Sequence, residues 1–248
     1  MVFGLRAVTA CLLARLIDRV TPFRLELEAL LAKSGTLNIL QVGANDGRIG
    51  DPLYGFVRAH PGQTAAILVE PQPDLIPVLQ ATYAFHPKAA IIQGAVGPAG
   101  SLTLYQVRKE CWPELVVPYA AGWPAYRAPT AITSARRELV LRWLARHYRG
   151  SAAIETLVET VEVEAIPTAV LMARVGLFER LDVLQIDAEG YDDQAIAASD
   201  IAGLRPRLIN FEACHLGQTR YAALEADLAR LGYKMRTYGK DALALRRD

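Results

Sequence analysis

Short apolar runs alternate with helical periods along most of the chain, and the runs end in glycine, proline or an acid. Leu37–Val42 leads straight into Gly43-Ala44-Asn45-Asp46-Gly47. A second run, over 65–69, ends at Glu70, where Pro71, Gln72 and Pro73 break it. Ala89–Gln93 ends in Gly94-Ala95-Val96-Gly97, residues 181–186 end in Asp187-Ala188-Glu189-Gly190, and residues 208–211 end at Glu212. Apolar runs of this length, bounded by turn residues, predict strands buried on both faces. Helix marks lie between them. Thr21 and Pro22 form a cap and first turn, with Gly35 as the stop. Further helices are predicted over 74–83, 167–175 and 219–231, the last stopped by Gly232. Alternation over 101–107 and 156–163 predicts two more strands.

Strands that alternate with helices imply parallel βαβ units and a sheet covered on both faces. Tyr233–Tyr238 and 242–245 are separated only by Gly239-Lys240-Asp241, too little chain for a parallel crossover, so they predict an antiparallel hairpin. The predicted fold class is α/β: a mostly parallel sheet with helices on both faces and a C-terminal antiparallel hairpin strand.

Two regions depart from this rhythm. Residues 1–14 are apolar except for Arg6, which gives them the look of a weak signal peptide. Arg15, Asp18 and Arg19 cut the run short of a bilayer span, and Leu5, Val8, Leu12, Leu16 and Val20 recur at helical spacing. The reading preferred over a cleaved signal or a membrane-surface anchor is an amphipathic helix packed on the domain or a partner. Residues 111–154 are rich in Pro, Trp and Tyr up to Pro129, and then turn into a basic helix over 134–148 carrying Arg136, Arg137, Arg142 and Arg146, with Arg149 just beyond. Long irregular segments inside compact domains are usually lids or binding loops. The expected organisation is a helical segment over 1–35 and a main domain over 36–248, with 111–154 as a lid or substrate insertion.

At 52% apolar and 21% charged residues, the chain can bury a core. Its net charge of +1 gives no electrostatic argument for nucleic acid. Cys11, Cys111 and Cys214 form no CxxC pair, so neither a disulfide framework nor a zinc site is expected, and a reducing cytoplasm is the simplest setting. No transmembrane segment is expected, and a homo-oligomer is compatible with the sequence.

The unusual residues gather at the carboxyl ends of the predicted strands, where open α/β sheets bind ligands. The turn from Gly43 to Gly47 lets backbone approach a ligand closely, but it is neither G-x-G-x-x-G nor a P-loop. An acid ending the second strand, as Glu70 does, accepts hydrogen bonds from ribose hydroxyls. Turn and acid together point to a nucleoside. Nicotinamide dinucleotides and S-adenosylmethionine both fit, and the missing dinucleotide spacing favours the second.

The blocks Val42 to Gly47, Val69 to Pro73, Leu184 to Asp192 and Leu208 to Glu212 resemble, in order and approximate spacing, those of the FkbM-type methyltransferases, with the Asp-x-Glu-Gly block as the most specific. The resemblance spans about residue 36 to 245 and includes Ala131-Ile132-Thr133-Ser134 as a short Ser-containing stretch. It implies a Rossmann-like class I methyltransferase sheet, S-adenosylmethionine as cofactor, and O-methylation of a hydroxyl on a sugar, glycan or secondary metabolite. Gly43, Ala44, Asn45, Asp46 and Gly47 then belong beside the methionine portion. Glu70 belongs on the ribose with Gln72 beside it, and Gly94, Ala95 and Val96 flank the adenine. Asp187 serves both cofactor and chemistry, together with Glu212 and His215. His215 is expected to be the base and Asp187 the orienting group, because an alcohol must begin to lose its proton as it attacks. Asp187, Glu189, Glu212 and His215 are also donors suited to Mg²⁺, but their spacing does not enforce a metal and a metal-free site is preferred. Two rival readings stand beside this one: a nicotinamide-dependent oxidoreductase, and a cofactor-binding module without catalysis.

Overall fold

The computed structural model describes residues 21–247. The helix expected before residue 21 lies outside the described residues. Helix α1 (Pro22–Ser34) starts where Thr21 accepts a hydrogen bond from the Arg24 N–H and ends at Gly35, whose left-handed backbone donates to Leu31 O. It is followed by β1 (Leu37–Val42), α2 (Tyr54–Ala59), β2 (Thr64–Glu70), α3 (Ile76–Tyr83) and β3 (Ala89–Gln93). A two-residue strand β4 (Ala95–Val96) precedes β5 (Gly100–Val107). The irregular segment holds α4 (Arg127–Ala131) and α5 (Arg137–His147) and leads into β6 (Val158–Ile166). The chain then runs through α6 (Thr168–Val175), β7 (Val183–Ile186), α7 (Asp192–Ala197), α8 (Ile201–Leu204), β8 (Leu208–Glu212), α9 (Gly217–Arg230), β9 (Tyr233–Tyr238) and β10 (Asp241–Arg246).

The main sheet has the order β3-β2-β1-β7-β8-β10-β9. The first five strands pair in parallel, while β10 runs antiparallel to both β8 and β9. This is the expected class, including the C-terminal hairpin. Alternate side chains of the central strands enter two cores. Ile39, Leu68 and Val183 meet Phe23 and Leu27 of α1, Phe56 of α2 and Leu79 of α3. Leu40, Ile67 and Leu184 meet Leu171 of α6, Ile196 of α7 and Leu224 of α9. A strand buried on both faces is apolar at most positions, which is why β2 reads as a near-continuous run, with β1 interrupted only by Asn38 and Gln41. The described part of the helical segment set apart at residue 35 packs into this core.

The alternating strands belong to a second sheet, ordered β4-β6-β5, with β5 antiparallel to β6 and β4 parallel to it. Against it packs the segment 111–154, through a small core that includes Val107, Cys111, Val140, Trp143, Leu144 and Leu157. Ser134 is extended rather than helical. It exchanges backbone hydrogen bonds with Tyr105 of β5, so α5 begins only at Arg137.

Candidate active site

The carboxyl ends of β1, β2, β7 and β8 open into a cavity of about 430 Å³. Gly43 begins the floor. Its φ of 75° lies in the left-handed region, and a Cβ there would sit 1.8 Å from Asp187 O, so a side chain would force β1 and β7 apart. The next residues tie β1 to β2: Gly43 and Ala44 both donate to Val69 O, and the Asn45 N–H donates to Glu70 Oε2 at 2.7 Å. Glu70 Oε1 accepts from the Gln72 N–H at 3.0 Å and from Gln72 Nε2 at 3.1 Å. Burial pushes the Glu70 carboxyl up, and the bonds from Gln72 and Asn45 oppose that rise.

Of the residues expected around a cofactor, Gly43, Ala44, Asn45, Glu70, Gly94, Ala95, Val96 and Asp187 all line the cavity. Asp46, Gly47 and Gln72 stand behind the wall. Asp46 Oδ1 accepts from the N–H groups of Arg48 and Ile49, closing the turn. Gly47 faces α3, where a Cβ would lie 2.5 Å from Leu79 Cδ1 and 2.7 Å from Tyr83 Cε2. Gln72 turns toward the inserted segment, with Nε2 donating to Thr130 O and Oε1 accepting from Thr133 Oγ1. These three were expected beside the ligand; the structure uses them to shape the turn and to hold the segment.

Asp187 follows β7, Glu212 ends β8, and a loop brings His215 over both. His215 Nε2 lies 3.4 Å from Glu189 Oε2 and 3.4 Å from Glu212 Oε2. Lys240, in the β9–β10 turn, donates from Nζ to Glu212 Oε1 at 2.6 Å. Asp187 Oδ1 and Glu212 Oε2 are buried without a hydrogen-bond partner among the described residues. Burial pushes the Asp187 carboxyl well above the usual carboxylate range, and the Glu189 and Glu212 charges push it further. The hydrogen bond to Glu189 raises His215 against the opposing effect of burial, favouring the imidazolium. Two carboxylates therefore face the imidazole that the sequence reading takes as the base. Lys240 is raised too: burial works against its charge, but Asp187, Glu212 and Glu189 outweigh it. Beneath them Asp192 accepts from the N–H groups of Gly190 and Glu212 at 3.1 and 3.2 Å and ties the β7 loop to β8; burial, then Glu212, raises it to about 7.

Oxygen atoms of Asp187, Glu189 and Glu212 come within 4.8 Å of one another, a spacing that a hard divalent cation would accept. Lys240 already supplies a positive charge in that space.

The inserted segment lines one side of the cavity and bonds to both halves of it. On the β1–β2 side, Asn45 Nδ2 donates to Thr130 Oγ1 at 3.3 Å. On the β7–β8 side, Ser134 Oγ donates to Glu189 O at 2.6 Å and Arg136 Nη1 to His215 O at 3.2 Å. Tyr119, Trp123 and Trp143 line the cavity, with Trp143 Nε1 donating to Tyr119 Oη at 2.9 Å. The sequence reading passed over Lys240 and Arg127. The register Asp241↔Glu212 puts the hairpin turn beside Glu212, and no local pattern in the sequence reveals that pairing.

Residues 41–235 match the methyltransferase FkbM domain. No curated protein shows a significant sequence match. Solved structures give remote likenesses. A Geobacter sulfurreducens methyltransferase has a TM-score of 0.41 at 12% identity, over 98% of this chain and 88% of that one. Geobacter metallireducens precorrin-6y C5,15-methyltransferase has 0.40 at 9%, over 86% and 81%. A fibrillarin/Nop5p complex has 0.44 at 9%, over 90% and 81%. The family is one of S-adenosylmethionine-dependent methyltransferases, which sets the nicotinamide alternative aside. With its family match running from the first strand to the hairpin, the chain belongs to the methyltransferase FkbM domain family.

Proposed function

We propose that this protein transfers a methyl group from S-adenosylmethionine to a hydroxyl of a small molecule or glycan, and that Asp187 receives the hydroxyl proton. The observation that carries this reading is Asp187 Oδ1, a buried and unpartnered oxygen on a carboxylate raised by burial and by Glu189 and Glu212. An unused lone pair on a buried atom is costly unless a ligand donates to it. A carboxylate of raised proton affinity suits the base that an alcohol needs, whereas a neutral amine attacks without one.

The residues present fit the cofactor. Glu70 keeps lone-pair capacity on Oε2 for a ribose hydroxyl, and Gly43 keeps the floor free of side chains. When bound, S-adenosylmethionine supplies a methyl group open to direct displacement. Asp187 orients the hydroxyl and takes its proton. His215 and Lys240 offset the charge of Glu189 and Glu212, leaving Asp187 free to do so. His215 thus becomes a positioning residue, the reverse of the role its residue type suggests.

Segment 111–154 acts as the wall of the acceptor pocket. Its aromatic residues cover apolar faces of the acceptor, and its bonds to Glu189 O and His215 O hold it over the reacting group. The test is methyl release across a panel of hydroxylated and aminated acceptors, with the product's methyl position read by mass spectrometry and NMR. Methylation on oxygen is expected. Transfer only to nitrogen, or cofactor binding with no turnover on any acceptor class, would overturn the reading; the latter is the outcome expected of a non-catalytic module.

A further inference from the structure

The cavity carries a third polar station that neither the glycine turn nor the carboxylate group explains. Arg127 opens α4, and its side chain is only 12% exposed. Nη2 donates to Ile49 O at 2.5 Å. Nε is buried 3.4 Å from Asp46 Oδ2 and makes no hydrogen bond among the described residues. Trp123 lies against the guanidinium, its ring centroid 5.6 Å from Cζ. This is a charge held in place, largely out of water, with donors to spare. Such a group gains most from an anionic oxygen. Asp46 Oδ2 forms an ion pair with Nε at 3.4 Å but no hydrogen bond with it, so it meets the guanidinium on one side only. The other cationic groups lining the cavity among the described residues are committed: Lys240 to Glu212, and His215 between Glu189 and Glu212.

Position then selects the ligand. Arg127 bonds to the loop that directly follows the Gly43 turn, and its charge acts on Glu70. It does not bond to the loops after β7 and β8, where the acceptor reading places the reacting hydroxyl. A ligand with a diol for Glu70, a reacting centre beside Asp187 and a carboxylate for Arg127 occupies all three stations. S-adenosylmethionine has these three parts.

We infer that Arg127 anchors the α-carboxylate of the cofactor's methionine portion, so the inserted segment that walls the acceptor pocket also holds the cofactor. The inference rests on the proposal that this cavity binds S-adenosylmethionine.

Calorimetric titration with S-adenosylmethionine and its decarboxylated form tests it, because the two differ only in the carboxylate. The wild-type protein should bind the decarboxylated form roughly 10- to 100-fold more weakly. Arg127→Met should bring the two affinities together by weakening only the intact cofactor, and Arg127→Lys should fall between. Equal affinities in the wild type would overturn the inference, even if the Met variant fails to fold. So would a gap that survives in Arg127→Met, or one common loss for both ligands, which would mark a general disturbance of the segment. Failure of the wild type to bind either compound would instead overturn the cofactor reading itself, and this inference with it.

Discussion

At the end of β2, Glu70 is 2% exposed and both its oxygens accept hydrogen bonds, from Asn45 on one side and Gln72 on the other. At the ends of β7 and β8, Asp187 Oδ1 and Glu212 Oε2 are also enclosed but have no hydrogen-bond partner among the described residues. Burial raises both Glu70 and Asp187. At Glu70 the hydrogen bonds from Gln72 and Asn45 oppose the rise, while at Asp187 the charges of Glu189 and Glu212 add to it. The two ends of one cavity are therefore prepared differently. A satisfied carboxylate is fixed in place, which suits the binding role proposed for Glu70. An unsatisfied one keeps an open acceptor, which suits the proton-receiving role proposed for Asp187.

The largest expected effect separates the two ends by rate. Asp187→Asn should lower single-turnover methyl transfer by about 10²–10⁴-fold with cofactor affinity little changed. Glu212→Gln and His215→Ala should lose less, since they act through Asp187. Near wild-type rates in all three variants would mean that the reacting group lies elsewhere.

A smaller effect should appear at the binding end, in affinity rather than rate. Glu70→Ala should weaken cofactor binding by roughly 1.5–3 kcal/mol, measured by calorimetry. It also leaves the Asn45 N–H without its acceptor, so a thermal melt should accompany the titration. Unchanged affinity in a folded variant would remove Glu70 from the cofactor site.

The smallest effect is on stability. Asp192 is raised to about 7 in the folded protein, so its stabilising contribution is present below the usual carboxylate pKa and is lost as pH rises through about 7. Asp187 and Glu189 are raised as well, and Asp241, raised by burial to about 6, carries the same sign. Tm should therefore fall between about pH 5 and about pH 8, with a shallower fall in Asp192→Asn. An identical pH slope in that variant would argue that Asp192 is already ionised in the fold.

Much of the binding end was legible in the sequence. Gly43 and Glu70 sit next to strands whose apolar runs are unmistakable, and a strand's last residue faces the ligand edge whatever its neighbours do. Gly47 and Gln72 show the limit of that reasoning. They stand in the right motif, yet one makes room for Leu79 and Tyr83 and the other bonds to Thr130 and Thr133. The reacting end was harder to read. Asp187, Glu212 and His215 could be found as residue types at strand ends, but their protonation preferences depend on one another and on Lys240, which arrives from the far end of the chain.

Local pattern determined the strands, the helix stops and the hairpin, because burial on both faces, capping and short connections act over a few residues and leave marks in composition. It also determined that acids and glycines would meet at one edge of the sheet. The tertiary structure decided which of them face the cavity. It brought Arg127 and Lys240 to opposite ends of that cavity, through a segment without periodicity and a hairpin whose register no short motif encodes. It also set His215 between two carboxylates, 3.4 Å from each. Solvation and charge–charge effects depend on distances between residues far apart in sequence, and only the folded chain sets those distances.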